Sequence, residues 1–349
     1  MRSVDFVIPG NLDSLTGGYL YDRHIAEGLR DCGWQVAVHA LDASFPTPTE
    51  SALAQAAGVF AALPDGALAV IDGLALGGLA TTLGGLRSRL KVVALVHHPL
   101  ALETGLDATG RSALYTAERD ALQFADRVIV TSQWTRQQLG DYGVAAESVG
   151  VVMPGTRPTR ARSGPAGTPH RLLCVASLTP RKGHAVLLDA LAKLRRDDWR
   201  LDCIGSTDMD AECAAALRAQ IGKLDLASQV RLLGAIDPDE LADHYARADT
   251  FVLASYLEGY GMVFGEALAA GLPIVSTEAG AIPHVVPAAA SLLVPAGNSA
   301  ALAGALARVL DGGALWQQLA DAALTARAGL PRWSDAVRQF EIELAAARA

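Results

Sequence analysis

Two carboxylates, Glu258 and Glu266, and the glycines between them form the stretch of this chain with the clearest chemical character. Gly259 and Gly261 leave room for the backbone to pass close to a ligand, and free N–H groups at the start of a helix favour an anion. Carboxylates beside such an anion-binding loop suit a nucleotide-sugar. Its phosphates would contact the amides, and its hydroxyls would contact the carboxylates.

A strand and a helix must position the two glutamates. Residues 250–254 are an apolar run typical of a buried strand, and residues 262–270 carry an apolar helical face that Gly-Leu-Pro at 271–273 ends. Glu258 is therefore predicted in a loop at the carboxyl end of a strand, where a solvated charge is the alternative. Glu266 is predicted inside a largely buried helix, and because a lone buried carboxylate is costly, a functional partner is favoured.

A second strand-to-helix turn carries positive charge that a pyrophosphate would need. Arg181 and Lys182 stand in the sequence Thr179-Pro-Arg-Lys-Gly183, directly after a predicted strand at 171–176. Parallel α/β sheets bind ligands outside the carboxyl ends of their strands, which favours a binding role. Lys182 is predicted to be exposed to the cleft, so that its loss would hardly change the melting temperature. A solvated basic pair is the alternative.

Neither the aspartates nor the cysteines predict a metal site. The Asp-x-Asp sequences at 208–210 and 237–239 resemble a metal signature of some sugar transferases, but both precede predicted helices, where aspartate is an ordinary cap. The four cysteines are scattered without metal-like spacing. Cys174 and Cys203 lie in strand-like runs and are predicted to be small core residues.

The first half of the chain gives weaker signals. Gly17-Gly18 follows the first predicted strand but is only a pair, so spacing alone favours a plain turn over a dinucleotide fingerprint. His97-His98 stands at the end of a later strand, where a histidine could act as a general base or donate a hydrogen bond to a sugar. A loop histidine is the alternative for at least one of the two.

Strands and helices alternate along both halves, with a helix predicted at 133–142 among them. This alternation predicts two doubly wound α/β domains facing across a cleft. Prolines and glycines interrupt residues 155–170, the best candidate linker. The predicted domains are 1–160, Rossmann-like and acceptor-binding, and 161–330, Rossmann-like and nucleotide-sugar-binding. The final segment, 331–349, is a helix predicted to cross back to the first domain.

Composition excludes several classes of protein. The chain has 349 residues and a net charge of −8 without a basic run, which argues against a nucleic-acid partner. No apolar run reaches the roughly eighteen residues needed to span a bilayer, so no transmembrane segment is predicted. The N-terminus lacks a signal-peptide core, and a reduced, cytoplasmic setting is predicted.

The order and spacing of these motifs resemble the retaining glycosyltransferases of the GT-B fold, family four. The resemblance covers nearly the whole chain and is looser in the first half, where it involves Gly17-Gly18, His97 and the segments 131–132 and 151–155. In the second half it is carried by Ala176-Ser-Leu-Thr-Pro-Arg-Lys-Gly-His184, residues 201–206, Val230-Arg-Leu-Leu-Gly234 and Glu258-Gly-Tyr-Gly through Glu266-Ala to Gly271-Leu-Pro273.

The resemblance implies a metal-independent transferase without a cofactor, which moves a hexose from a UDP- or GDP-linked donor to a small-molecule, glycan or lipid-linked acceptor. It implies that Glu258 contacts the sugar hydroxyls, Glu266 holds the ribose, Arg181 and Lys182 hold the diphosphate, and His97 lies near the reacting carbon. The other residues that it assigns to the donor are Gly17, Gly18, Gly205, Ser206, Gly234, Gly259, Tyr260, Gly261, Met262 and Val263.

One departure from the family pattern concerns phosphate binding. The family usually carries Gly-Arg-Leu where this chain has Ala176-Ser177-Leu178, so either Arg181 replaces the missing arginine or phosphate binding is weaker. A non-catalytic sugar-nucleotide-binding or scaffolding subunit on the same fold is the alternative function. A GT-B epimerase or phosphorylase is disfavoured by the linker and by the spacing of the two glutamates.

Overall fold

A computed structural model describes residues 2–14, 16–162 and 166–348, and these residues form two compact units. The predicted linker, 155–170, lies partly outside the described residues. The first unit comprises residues 1–155 and 331–349. Up to residue 155 its elements are β1 Ser3–Pro9, α1 Gly17–Asp31, β2 Gln35–Leu41, α2 Glu50–Ala62, β3 Leu68–Asp72, α3 Gly73–Leu76, α4 Ala80–Leu86, β4 Lys91–Val96, α5 Ala108–Leu122, β5 Arg127–Val130, α6 Gln133–Gln138 and β6 Val149–Val151.

The first unit is built on a six-stranded parallel sheet with the order β2-β1-β3-β4-β5-β6. Strand β3 is buried along its whole length and β4 nearly so, as expected for Val-, Leu- and Ile-rich strands covered on both faces. The chain turns in opposite directions after β1 and β3. Parallel sheets bind ligands at such a reversal, beyond the carboxyl ends of the strands.

The second unit, residues 156–330, repeats this architecture. Its sheet has the order β12-β11-β10-β7-β8-β9, again parallel, with the reversal between β7 and β10. The elements are β7 His170–Val175, α7 His184–Lys193, β8 Trp199–Ile204, α8 Ala211–Lys223, β9 Val230–Gly234, α9 Pro238–Arg247, β10 Thr250–Leu253, α10 Met262–Ala269, β11 Ile274–Thr277, α11 Ile282–Val285, β12 Ser291–Val294, α12 Ser299–Leu310 and α13 Gly313–Ala326.

The boundary between the units lies after Gly155, so residues 156–160 belong to the second unit rather than to the first domain predicted from the sequence. Contacts of this segment explain the difference. A Cβ atom on Gly265 would lie 2.8 Å from Thr156 Oγ1, and Thr159 O accepts a hydrogen bond of 2.9 Å from Arg327. The segment is therefore held by the helices of the second unit before the predicted linker ends.

The last helix, α14 Trp333–Arg348, returns to the first unit. Phe340 stacks on Phe6 with ring centroids 6.0 Å apart, and a Cβ on Gly28 would lie 2.3 Å from Val337. Buried Glu343 forms an ion pair with Arg127 at 2.6 Å. This helix thus completes the covering of the first sheet.

The helix predicted at 133–142 is shorter than expected. Helix α6 ends at Gln138, and the chain continues as a 3-10 turn, Leu139–Tyr142, before Gly143 at φ 73°. Gly140 within this segment lowers helix stability, which favours the early end. No helix among the described residues has the length and apolar character needed to cross a membrane.

Candidate active site

Glu258 lies at the reversal of the second sheet, in the loop between β10 and α10. It is 4% exposed, and its carboxylate accepts hydrogen bonds at 2.6 Å from both Lys182 Nζ and Ser255 Oγ. Arg181 Nη1 stands 3.6 Å from the other carboxylate oxygen. The charge on Glu258 is therefore matched by cations that follow β7, and the solvated-charge alternative does not describe it.

The pKa of Glu258 reflects this pairing. Burial raises the pKa, but the positive charges of Lys182 and Arg181 outweigh burial and hold it below its usual value. Glu258 is consequently a carboxylate at neutral pH.

A tight turn holds Lys182 in place. Gly183 adopts φ 66°, and a Cβ there would lie 2.0 Å from the carbonyl oxygen of Ala254, so only glycine fits. The backbone also joins the two loops, since Tyr256 N donates to Arg181 O at 2.8 Å. Both motifs are predicted at strand ends, and the structure brings them into contact.

Further residues that the motifs did not reveal support the Glu258 loop. Thr277 Oγ1 donates to Ser255 O at 2.6 Å, and Ala281 N donates to Glu258 O at 2.8 Å. Ser255 and Thr277 are polar residues at the ends of apolar strand runs, a signal that could have marked them from sequence. The rest of this support depends on the pairing of β10 with β11 and is not visible locally.

Glu266, inside α10, is half-buried and has a partner within the unit. Its Oε2 accepts a hydrogen bond of 2.9 Å from Tyr245 OH, on α9. Burial raises the pKa of Glu266, against the hydrogen bond from Tyr245 and the charge of Arg157. Tyr245 is thus a hydrogen-bond partner of this carboxylate. It was not predicted, because its position in the sequence marks it only as one residue of an amphipathic helix.

The remaining donor-site residues predicted in this unit lie at the carboxyl ends of β8, β9 and β10 or at the start of α10. Gly205 follows β8 and donates its N–H to Gly234 O, at the end of β9, at 2.9 Å. Met262 and Val263 are the first two residues of α10, where backbone N–H groups have no intrahelical acceptor. The others are Ser206, whose carbonyl accepts from Leu178 N at 2.9 Å, and Gly259, half-buried Tyr260 and Gly261 in the loop before α10.

One aspartate of each Asp-x-Asp sequence caps a helix. Asp210 Oδ1 accepts from Cys213 N at 2.8 Å at the start of α8, and Asp237 Oδ1 accepts from Asp239 N at 2.8 Å at the start of α9. These contacts occupy the aspartates in the way predicted for capping residues.

In the first unit, His97 lies between two buried carboxylates. His97 Nε2 is 3.1 Å from Asp22 Oδ1, on α1, and 3.5 Å from Asp72 Oδ2, at the end of β3. A Cβ on Gly18 would lie 3.2 Å from the His97 ring, so this glycine allows α1 to approach it. His98 instead contacts Glu103, at 3.3 Å.

Asp22 and Asp72 were not predicted, although Asp22 stands one helical turn after Gly18 and Asp72 ends a strand. Together with His97 they form one of two groups in the described ranges whose possible metal-ligating atoms lie within 4.8 Å of one another. The imidazole nitrogen that faces both carboxylates can pair with Asp22 Oδ1 and Asp72 Oδ2 by carrying a proton, and in the described residues Asp22 Oδ2 stays buried without a hydrogen-bond partner. This cluster is therefore interpreted as an ion-paired histidine.

Gly17, the first residue of α1, is exposed and has no atom within 4 Å of an added Cβ among the described residues.

The pKa values in this cluster favour a charged His97. Burial lowers the pKa of His97, but the charges and hydrogen bonds of Asp22 and Asp72 outweigh burial and raise it to about 10. Burial also raises the pKa of Asp22 to about 7, against the attraction of His97. An imidazolium cannot accept a proton, so the hydrogen-bond donor role is favoured over the general base.

We expect His97 to remain doubly protonated at pH 8, and Asp22→Asn to lower its pKa by about 1–3 because one opposite charge is removed. The folded-state pKa of His97 lies above its ordinary value, so the protonation of His97 contributes stability that is fully present below about pH 6.5 and is lost as pH rises toward about 10. Imidazole nitrogen NMR shifts measure the titration, with His98→Gln as control. A neutral His97 at pH 7 in the wild type would contradict the assignment.

Comparisons with known proteins agree with this arrangement. Residues 169–312 match the family model of the group 1 glycosyl transferases, and residues 68–160 match that of glycosyltransferase family 4. A D-inositol 3-phosphate glycosyltransferase of Corynebacterium diphtheriae is 30% identical over 292 residues, which cover 75% of this chain and 67% of that protein. The chain belongs to the group 1, family 4 glycosyltransferases. The resemblance inferred from the motifs is confirmed.

Other members of the family are matched over less of their length. A GDP-mannose-dependent alpha-(1-6)-phosphatidylinositol monomannoside mannosyltransferase of Mycobacterium tuberculosis is 31% identical over 181 residues, 46% of each chain. The match spans 54–58% of the length of further curated relatives. The crystal structure of Anabaena HepE in complex with UDP and glucose has a TM-score of 0.79 at 19% identity, covering 98% of this chain and 99% of HepE. This likeness confirms the two-domain, Rossmann-like GT-B fold.

The resemblance predicted an arginine at position 177, where this chain has Ser177. Arg181 stands four residues further on and donates to Leu257 O at 2.8 Å, beside the Glu258 carboxylate. The positive charge of the β7 turn thus lies against the Glu258 loop, and the replacement of the missing arginine by Arg181 stays a prediction.

Proposed function

We propose that this chain is a metal-independent, retaining hexosyltransferase, which uses a nucleotide-diphosphate sugar and an acceptor hydroxyl. The observation that carries the proposal is the contact of Lys182 and Arg181 with Glu258 at the reversal of the second sheet, beside the start of α10. Cations, a carboxylate and helix N–H groups at one strand end are the groups that a diphosphate and a sugar require. A non-catalytic binding subunit is the alternative.

The chemistry of the proposal depends on charge that develops on the leaving diphosphate. As the glycosidic bond breaks, the phosphate oxygen that leaves gains negative charge, which Lys182, Arg181 and the N–H groups of Met262 and Val263 would stabilise. Glu258 holds Lys182 in position before the donor binds, at 2.6 Å. The carboxylate would then orient the sugar hydroxyls.

Retention follows from front-face attack in this proposal. Lys182, Arg181 and Ser255 surround the Glu258 carboxylate, which argues against its use as a nucleophile. His97, as an imidazolium, is a donor and no base. The acceptor proton would therefore pass to an oxygen of the departing phosphate, and the new bond would form on the face from which the diphosphate leaves.

The first unit has a separate role in this proposal. His97 would donate a hydrogen bond to a hydroxyl of the transferred sugar, and Asp22 and Asp72 would hold its ring and its charge. The unit would also bind the acceptor, which is a small molecule, a glycan or a lipid-linked glycan. A cytoplasmic location fits the four free cysteines.

The experiment that tests this function is a panel of donors. One relative is named for its dependence on GDP-mannose and one structural neighbour was solved with UDP and glucose, so both UDP- and GDP-sugars belong in the panel. A thermal shift with one donor, followed by release of its nucleoside diphosphate on adding acceptor, would support transfer. Binding without release of sugar from any donor would favour the non-catalytic subunit.

We expect transfer to keep most of its activity in excess chelator. One aspartate of each Asp-x-Asp sequence caps a helix, and Arg181 and Lys182 would supply the cations. Activity with and without chelator, before and after adding manganese or magnesium, measures this. Loss of activity that either ion restores would show that a metal is required.

Glu266→Gln is expected to raise KM for the donor roughly tenfold and to leave kcat nearly unchanged, because a contact with the ribose is made in both ground and transition states. Tyr245→Phe, which removes the 2.9 Å hydrogen bond to the same carboxylate, should act in the same direction and less strongly. Steady-state kinetics of both variants measure the effect. A fall in kcat at constant KM for Glu266→Gln would exclude the ribose assignment.

A further inference from the structure

Two cysteines and a histidine lie together inside the second unit, apart from the groups described above. Cys174 and Cys203 are register partners on the neighbouring strands β7 and β8, one residue before each strand ends. His184 is the first residue of α7. One ligating atom from each residue lies within 4.8 Å of the other two, and Cys174 Sγ is 3.6 Å from His184 Nε2.

The three side chains are enclosed. Both cysteines are 1% exposed and His184 is 3% exposed, whereas Cys32 is exposed and Cys213 is half-buried. In the described part of the chain, His184 Nδ1 is buried without a hydrogen-bond partner, and Nε2 contacts only sulfur, a weak acceptor. Buried imidazoles ordinarily satisfy their nitrogens, and the contact with sulfur satisfies Nε2 only weakly, whereas a metal ion would accept the Nε2 lone pair.

We propose that Cys174, Cys203 and His184 bind a soft metal cation, Zn²⁺ or Cu⁺. Zinc bonds of about 2.3 Å to sulfur and about 2.0–2.1 Å to nitrogen place the two ligand atoms roughly 3.5 Å apart at a tetrahedral angle. The observed separation of Cys174 Sγ from His184 Nε2 is 3.6 Å. Thiolate and imidazole ligands select these ions over Mg²⁺, Mn²⁺ and Ca²⁺.

Charge and proton balance are consistent with such a site. On binding, the two thiols release their protons to solvent and the histidine binds as a neutral imidazole. Two thiolates neutralise Zn²⁺. With Cu⁺ the site keeps one negative charge, which is suited to the beginning of α7, where the helix dipole is positive.

The ion would join three elements beneath the loop that carries Lys182. It would link the ends of β7 and β8 to the first residue of α7, two positions after Lys182. This role is structural and separate from the proposed transfer chemistry. Because the ligands are buried, a chelator added to the folded protein is not expected to remove the ion, so the site is compatible with chelator-resistant transfer.

Elemental analysis of the purified protein tests the proposal. We expect one zinc or copper ion per chain in the wild type and in the control Cys32→Ser/Cys213→Ser, and background content in Cys174→Ser/Cys203→Ser and His184→Gln. Detection of zinc or of copper distinguishes the two ions. A wild-type protein without either ion, or one whose content is unchanged in the cluster variants, would overturn the proposal.

A second measurement covers the case in which the cluster variants do not fold. Wild-type protein produced in medium with cobalt in place of zinc and copper should show the near-ultraviolet charge-transfer absorption of a cobalt–thiolate bond, and the Cys32→Ser/Cys213→Ser control should show it equally. Absence of this band in folded wild-type protein would contradict thiolate ligation. Neither measurement uses transferase activity, so failure of the donor panel would leave this result interpretable.

Discussion

Lys182→Ala is expected to lower kcat by about 30- to 900-fold, the equivalent of about 2–4 kcal/mol for one lost electrostatic donor. The reason is that Lys182 would stabilise the negative charge on the leaving diphosphate. This charge is larger in the transition state than in the ground state. Steady-state kinetics with the donor from the panel measure the change. Lys193→Ala, which changes an exposed lysine at the end of α7, is the matched control and should be near wild type.

The same substitution should also affect stability. Sequence reasoning predicts an exposed Lys182 whose loss leaves the melting temperature almost unchanged, but the structure corrects this prediction, since Lys182 is half-buried and paired with Glu258 at 2.6 Å. Removing it leaves a buried carboxylate with Arg181 and Ser255, at a cost of about 1–3 kcal/mol. Lys182→Met/Glu258→Gln removes both charges and should recover stability without recovering activity. Near-normal turnover in the less stable Lys182→Ala would show that the pair is only structural.

Glu258→Gln is expected to lower kcat by roughly 10- to 150-fold and to raise KM less, because hydrogen bonds to a charged group are worth about 1.5–3 kcal/mol and this contact tightens as the sugar ring distorts. The glutamine side chain also lacks the negative charge that holds Lys182 and Arg181 in place. Kinetics in parallel with Glu212→Gln, an exposed glutamate on α8, separate this effect from a general loss of charge.

The pH dependence of stability gives a second readout for Glu258. Its pKa is held below the usual value, so its pairing stabilises the second unit above about pH 4.5, and this contribution is lost as pH falls through the lowered pKa. Urea unfolding of Glu258→Gln should therefore show a shallower loss of stability on the acid side than the wild type. Equal acid sensitivity, with equal turnover, would indicate that the carboxylate has neither role.

Local signals predicted which turns of the second unit carry the candidate-site side chains. Glu258, Arg181 and Lys182 stand in short strand-to-helix turns, where glycine, proline and the ends of apolar runs mark the geometry. The parallel topology then determines that the turns after β7 and β10 meet, since these strands are neighbours at the reversal. Sequence spacing does not report which side chains then pair, so the Lys182–Glu258 contact was not predicted.

The first unit's cluster could not be read from a motif. Asp22, Asp72 and His97 come from three separate elements and meet only because β1, β3 and β4 are neighbours. The partnership of Cys174 with His184 was missed for a related reason. Apolar strand runs predicted a core cysteine, but the position of His184 against it depends on how α7 packs on the sheet.

The most direct test of the transferase assignment follows the fate of the sugar and the diphosphate together. Wild type and Lys182→Ala are mixed with the bound donor and an acceptor, nucleoside diphosphate release is quantified, and the anomeric configuration of the product is read by NMR. We predict release matched by a product with retained configuration in the wild type, and a loss of about 30- to 900-fold in the variant. Tight binding of the nucleoside diphosphate by calorimetry, without sugar transfer to any acceptor, would contradict the account and identify a binding subunit.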